Sequence, residues 1–386
     1  MAETFSVSNA AELSAALASA QGGDRIELAG GDYGDVSIGQ DFALDVTIAS
    51  ANADDPAIFG GLNVNNASHL VFDGILFDYA SAAGDPANLR IFDVRSSSYI
   101  TLRNSMFTGD TVFEGEGSGF GLNILSSDHI VIEHNEFSDW NRALGIHESA
   151  DITVWGNDIH SISGDGIQMS GIVGVLIEDN WIHDFTSPLN HDDMIQLFSL
   201  PDSTRSENIT IRGNFLDAGT NESVQLIFMR NEVVDQGQGS FANFAYRNLL
   251  IEDNVIYGAF VHGITVGETD GLAIRNNSLL HDEHVTSGPD WIPRINLAAG
   301  SRNVTNDKNI IFGAGQGTNF GTQDTDPNGA NYYGDLFVNP LVAGASLADL
   351  RAVSGGTIET LGVGAEMTRS GIDITLTAGP AAMVSR

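Results

Sequence analysis

The feature that most restricts this chain is a short motif that returns along it: a β-branched strand of about five residues, a turn ending in asparagine, then a second short apolar piece. It reads "YITLRNSMF" from residue 99, "HIVIEHNEF" from 129, "DITVWGNDI" from 151, "GVLIEDNWI" from 174, "NITIRGNFL" from 208, "NLLIEDNVI" from 248 and "GLAIRNNSL" from 271. The asparagines are Asn104, Asn135, Asn157, Asn180, Asn214, Asn254 and Asn277, at spacings of 31, 22, 23, 34, 40 and 23. An earlier unit, "HLVFDGILF" from 69, carries Gly74 at that place. A minimum spacing near 22 with longer intervals is what a parallel β-helix gives, because three short strands make one coil and insertions become loops. The asparagine then recurs at one bend of successive coils, about 4.8 Å apart, where its amides can form an internal ladder. A β-sandwich would instead give hairpin signals and no constant coil length.

The ends are read as caps. Asn9 and Glu12 form a capping-box pattern, and Leu13, Ala16, Leu17 and Ala20 make one apolar stripe ended by Gly22 and Gly23, which predicts a helix over about 9–20 covering the first coil's open edge. The β-helix with this cap is expected over 1–315. A capping region of irregular loops is expected over 316–386, with a terminal strand at "GIDITLTAG".

Charge narrows the partners. With 51 acidic and 16 basic residues the formal charge is −35, which repels nucleic acid and anionic membranes. There is no cysteine, so neither a disulfide nor a thiolate site exists. No apolar run approaches the roughly 18 residues of a membrane span, so no membrane insertion is expected. "MAETFSVSNAAELSAAL" lacks a basic stretch before a continuous apolar core, so export would need a removed signal, another route or release within a particle.

A second strand follows each asparagine-bearing unit. Aligned by their apolar residues, these strands place Asn123, His147, Gln168, Gln196, Gln225, Thr265 and Asn296 in one outward row, suited to reading sugar hydroxyls or to an ordinary solvated face. Three residues earlier the same alignment puts Asp165, Asp193, Glu222 and His262 on successive coils. Carboxylates that close raise one another's pKa, so acid and base can coexist, and the four are the candidate catalytic set. The same residues could instead hold Ca2+, with Asp192 added beside Asp193, or simply cap strand entrances. His147, Gln168, Gln196, Gln225, Arg230 and Arg294 are the candidate substrate-binding residues, and Arg142 is a further carboxylate clamp. Glu148 falls at an apolar place in this alignment, which predicts a paired or functional glutamate. Trp140, Trp155, Trp181 and Trp291 are candidate sugar-stacking rings, and the 186–192 and 231–247 insertions are expected to be loops beside the groove.

The opening "SVSNAAELSAALASAQGGDRIELAGGDYGDVSI" followed by "HLVFDGILF" resembles the start of the pectate-lyase-like right-handed β-helix proteins, especially the chondroitinase B and alginate lyase group, and the repeat match covers roughly residues 5–313. The resemblance implies an all-β, right-handed single-stranded parallel β-helix and an extracellular polysaccharide, acidic in kind, as partner. Lyases, uronate epimerases, glycoside hydrolases and phage tailspikes share this scaffold, so the activity stays open. A monomer is expected for an enzyme. A homotrimer on a virion surface is expected for a capsule-binding spike. The sole lysine, Lys308, lies near the end of the repeat, which argues against the lysine base that the chondroitinase B resemblance implies.

Overall fold

A computed structural model describes residues 2–370 apart from 83, 87, 114–115, 187–191, 219–222, 282–291, 313–317 and 323–332. The described residues form two compact units, within Met1–Val175 and Leu176–Thr375. Each is built of short parallel strands wound as coils of a right-handed parallel β-helix. In the first unit, Ser68–Asp73, Ser98–Arg103, Asp128–Glu133 and Ala150–Trp155 pair in parallel, with Leu70, Ile100, Ile130 and Ile152 in register and buried. In the second, Glu207–Arg212, Tyr246–Glu252 and Thr269–Arg275 align Ile209, Leu249 and Leu272 in the same way. Alternation sends these side chains inward and their neighbours outward.

The asparagine ladder is present in both units, with one correction. Asn135 Nδ2 donates to Asn157 Oδ1 at 3.1 Å. In the second unit Asn180, Asn214, Asn254 and Asn277 each donate to the next at 2.9–3.0 Å, and the series continues through Asn309 to Asn319. Asn104 is not a rung. Ser105 stands at that place, its amide donating to Asn135 Oδ1 at 3.0 Å, while Asn104 is the bend residue before it at φ 50°. The equivalent bend residues Gly74, His134, Gly156, Asp179, Gly213, Asp253, Asn276 and Lys308 also have φ of 53–68°. The left-handed conformation favours Gly, Asn and Asp, which explains most of that column and the neighbouring position that Asn104 imitates.

A second internal ladder, of serines, was not legible in the repeat. Ser97, Ser127 and Ser149 accept from the amides of Ala67, Ser97 and Ser127 at 3.1–3.2 Å. The helix Ala10–Ser19 forms with Asn9 as N-cap, accepting from the Glu12 amide at 3.0 Å, while Glu12 reaches back to the Ser8 amide at 2.8 Å. It buries Leu13, Ala16 and Leu17. At the other end Tyr333, Leu336, Phe337, Leu350 and Ile358 pack against Tyr257, Leu280, Ile310 and Phe312. The expected strand at "GIDITLTAG" lies outside the described residues.

Candidate functional site

In the first unit the second parallel sheet is formed by Asp35–Ile38, Gly61–Asn65, Phe92–Arg95, Phe120–Leu125, Arg142–His147 and Ile167–Ser170. Its register aligns Ser37, Asn63, Asp93, Asn123, Gly145 and Gln168. His147 is therefore not the partner of Asn123. It lies two residues further on, opposite Leu125 and Ser170, and Gly145 takes the expected place. Glu148 accordingly leaves the apolar column; it is a bend residue at φ 47°, with Ile146 in the core position. Gly145 is needed there because the Phe120 ring lies over it: a Cβ would come within 2.6 Å of Phe120 Cε1.

Two carboxylates of this face are held by one device. Asp165 accepts from Arg142 Nε at 3.1 Å and from Gln168 Nε2 at 2.7 Å. Asp93 accepts from Arg95 Nη2 at 2.9 Å and from Asn123 Nδ2 at 2.5 Å. Each guanidinium offsets the charge of a largely buried carboxylate. Arg142 and Arg90 also stack on the Phe120 ring, at 5.4 and 5.6 Å from its centroid. Arg142 is thus bound to Asp165, so Asp165 is a fixed anion and Arg142 a positioned partner.

Half-buried His147 bonds Ser170 Oγ through Nδ1 at 2.9 Å. Burial, with Arg90 and Arg142 nearby, pushes its pKa from the ordinary 6.5 down to about 4. As pH falls through that window the unfolded chain binds a proton that the folded chain refuses, so stability falls with pH. At 1.36 kcal/mol per unit the effect is at most about 3 kcal/mol. The expected result is that His147→Gln loses about 2 kcal/mol less than the parent between pH 7 and pH 4.5 in urea unfolding. Equal losses would show that the imidazole is solvated.

In the second unit the strands are Asp193–Leu197, Gln225–Met229, His262–Val266 and Arg294–Leu297. Here the outward row is Gln196, Phe228, Thr265 and Asn296. Gln225 is not in it: it pairs with Asp193 and is 1% exposed, because Ile227 and not Val224 is the core residue aligned with Ile195. The strand-entrance column is Asp193 beside Gln225, and His262 beside Arg294, across a bulge at 262–264. Glu222 lies outside the described residues, as do Trp291 and His191.

The side chains of that column differ in access. Asp192 and Asp193 are both 0% exposed, and Gln196 Nε2 donates to Asp193 Oδ2 at 2.5 Å, repeating the Asp165–Gln168 clamp in sequence and geometry. His262 and Arg294 are half-buried, with His262 Nδ1 2.8 Å from Thr265 Oγ1 and the Phe228 and Phe260 rings each 5.3 Å from the imidazole. Arg230 is ion-paired with Asp235 of the short helix Glu232–Asp235, and this bond holds its pKa above the ordinary value. That helix and Phe241–Phe244 structure the 231–247 insertion, which was expected to be loop. Among the described residues no three of His, Cys, Asp and Glu come together as metal ligands. Trp140 is buried and donates to the Phe107 carbonyl at 2.9 Å, whereas half-buried Trp181 stacks on His183 at 3.8 Å. No helix among the described residues is long and apolar enough to cross a membrane.

Residues 60–227 match the family described as right handed beta helix region. No curated protein matches the sequence. Among solved structures, a surface adhesin of Streptococcus pneumoniae superposes with a TM-score of 0.53 at 12% identity, over 77% of this chain and 87% of the adhesin. A PL6 family polysaccharide lyase from Pseudopedobacter saltans gives 0.50 at 14% identity, over 95% of this chain and 96% of the lyase. With the parallel registers, the internal asparagine ladder and the N-terminal helix, these likenesses make the chain a right-handed parallel β-helix in fold.

Proposed function

We propose that this protein acts outside the cell on an acidic polysaccharide, with His262 moving a proton at a uronate residue and Arg294 receiving that residue's carboxylate. The observation that carries the reading is the pairing of a half-buried imidazole with a half-buried guanidinium on adjacent strands, in a chain whose charge is −35. Arg294 has no carboxylate partner among the described residues, so it can take one from a ligand. Thr265 meets the imidazole at Nδ1, 2.8 Å away, and neighbouring strands stand about 4.8 Å apart, a spacing that one sugar ring can span. Asp193 is buried and serves as a positioning residue that orients Gln196, with Thr265 and Asn296 completing a polar row for hydroxyls.

Incubation with polymers of uronic acids, followed at 235 nm for unsaturated products and by reducing ends, tests this. Absorbance at 235 nm is expected. Reducing ends alone would assign hydrolysis, and silence in both with measurable binding would assign recognition without turnover. The second reading, a capsule-binding spike or adhesin, is favoured by one observation: Asp93 and Asp165 are each locked by an arginine and an amide, an arrangement for holding a surface rather than moving protons.

A further inference from the structure

A groove of about 480 Å³ lies over Asp35–Ile38, Gly61–Asn65 and Phe92–Arg95, on strands earlier in the chain than those of His262 and Arg294. Its volume is in the range of small-ligand sites. Ser37, Asn63 and Asn65 line it with exposed groups that donate to and accept from hydroxyls. Of its charged groups, Asp93 and Arg95 are joined to each other. Exposed Arg90 has a different status: its guanidinium lies over Phe120, and among the described residues it has no carboxylate partner. The Phe120 ring, with Arg142 on it as well, restricts where Arg90 reaches, so less freedom is lost when it binds. Asp35 is the counter-charge of the groove, its carboxylate lying over Gly61, where a Cβ would come within 2.8 Å of Oδ1.

We infer that this groove is a separate saccharide-binding site that holds an acidic sugar residue, with the acid group on Arg90 and hydroxyls on Ser37, Asn63 and Asn65. The inference rests on the polysaccharide reading for its class of ligand, and it requires nothing of His262 or Arg294. It gives the protein a hold on its polymer independent of the reacting residue, which raises effective concentration without a new chemical group.

Titration calorimetry of the full chain with an oligogalacturonate and with its neutral methyl ester tests it. Arg90→Gln is expected to weaken the acid form about 10-fold, the cost of one charge-assisted hydrogen bond, and to leave the ester unchanged. Arg90→Lys, which keeps the charge, should recover part of the loss, and Asp35→Asn should tighten the acid form by removing repulsion. If the ester binds as well as the acid and Asp35→Asn weakens both, the groove takes neutral sugar and the inference fails. It fails equally if the parent binds the acid form and Arg90→Gln has no effect. Absence of binding and turnover with every polymer would instead defeat the polysaccharide reading itself.

Discussion

Replacing His262 by glutamine is expected to lower kcat on a uronate polymer by at least about 100-fold, the low end of what a positioned acid–base group contributes. The amide keeps a hydrogen bond to Thr265, which now meets Nδ1 at 2.8 Å, so the fold and KM should change little. The companion Arg294→Gln should act differently, raising KM for acidic polymers while sparing neutral ones, because a clamp on the carboxylate is made in the ground state as well as the transition state. Since Arg294 lies one strand from His262, the two effects should fall short of adding. A kcat for His262→Gln within a few-fold of the parent, with unchanged pH dependence, would remove the imidazole from the reaction. Another group would then have to carry the proton, and Glu222, which lies outside the described residues, is the first to try.

The second large effect concerns the fold. Asn254→Ala is expected to destabilise the second unit by about 3–5 kcal/mol, the range for breaking a buried polar network. Asn254 Nδ2 donates to Asn277 Oδ1 at 2.9 Å and to the Ile211 and Glu252 carbonyls at 3.0 Å, and its Oδ1 accepts from the Asn214 amide and side chain. The partners Asn214, Asn277 and the Ile211 carbonyl are inside the coil, and alanine leaves them without water to replace the lost bonds. Asn104→Ala is the control. That residue is a half-buried bend whose side chain donates to Asp73 Oδ1 at 2.8 Å, and its loss should cost about 1 kcal/mol, chiefly for the left-handed conformation. Denaturant unfolding, with hydrogen exchange at residues 214 and 277 as the local readout, checks both. Equal costs at the two positions would mean that the ladder contributes no more than the bend.

The difference between these two asparagines marks how far the sequence could be read. Both stand in a turn after a β-branched strand, and the pattern around "RNSMF" offers asparagine one residue before the true ladder place. The coil itself was legible because its signal is repeated: bend residue, ladder residue and buried strand return together. The site strands carry no such marker. Asn123, Gly145 and Gln168 each stand twelve residues before their ladder asparagines Asn135, Asn157 and Asn180, a count that excludes His147 from the row. Alignment by apolar residues alone missed it, because a slip of two preserves the inside–outside alternation. The insertions before Asn214 and Asn254 break the count, which is 18 from Gln196 and 26 from Phe228 and returns to twelve only from Thr265 to Asn277, so only burial separates Gln225 from outward Phe228.

What the sequence by itself determined is the class of fold, the coil length, the N-terminal helix with its cap and the exclusion of cysteine chemistry. These follow from local preferences and from repetition, in which each coil confirms the next. What only the tertiary structure decided is which side chains meet: that Asp165 is tied to Arg142, that Asp193 is buried, that His262 lies beside Arg294 and that Arg90 stands over Phe120. Contacts between coils join residues some 22 to 40 positions apart, and their register depends on how each intervening turn is spent. No strand's own alternation contains that information.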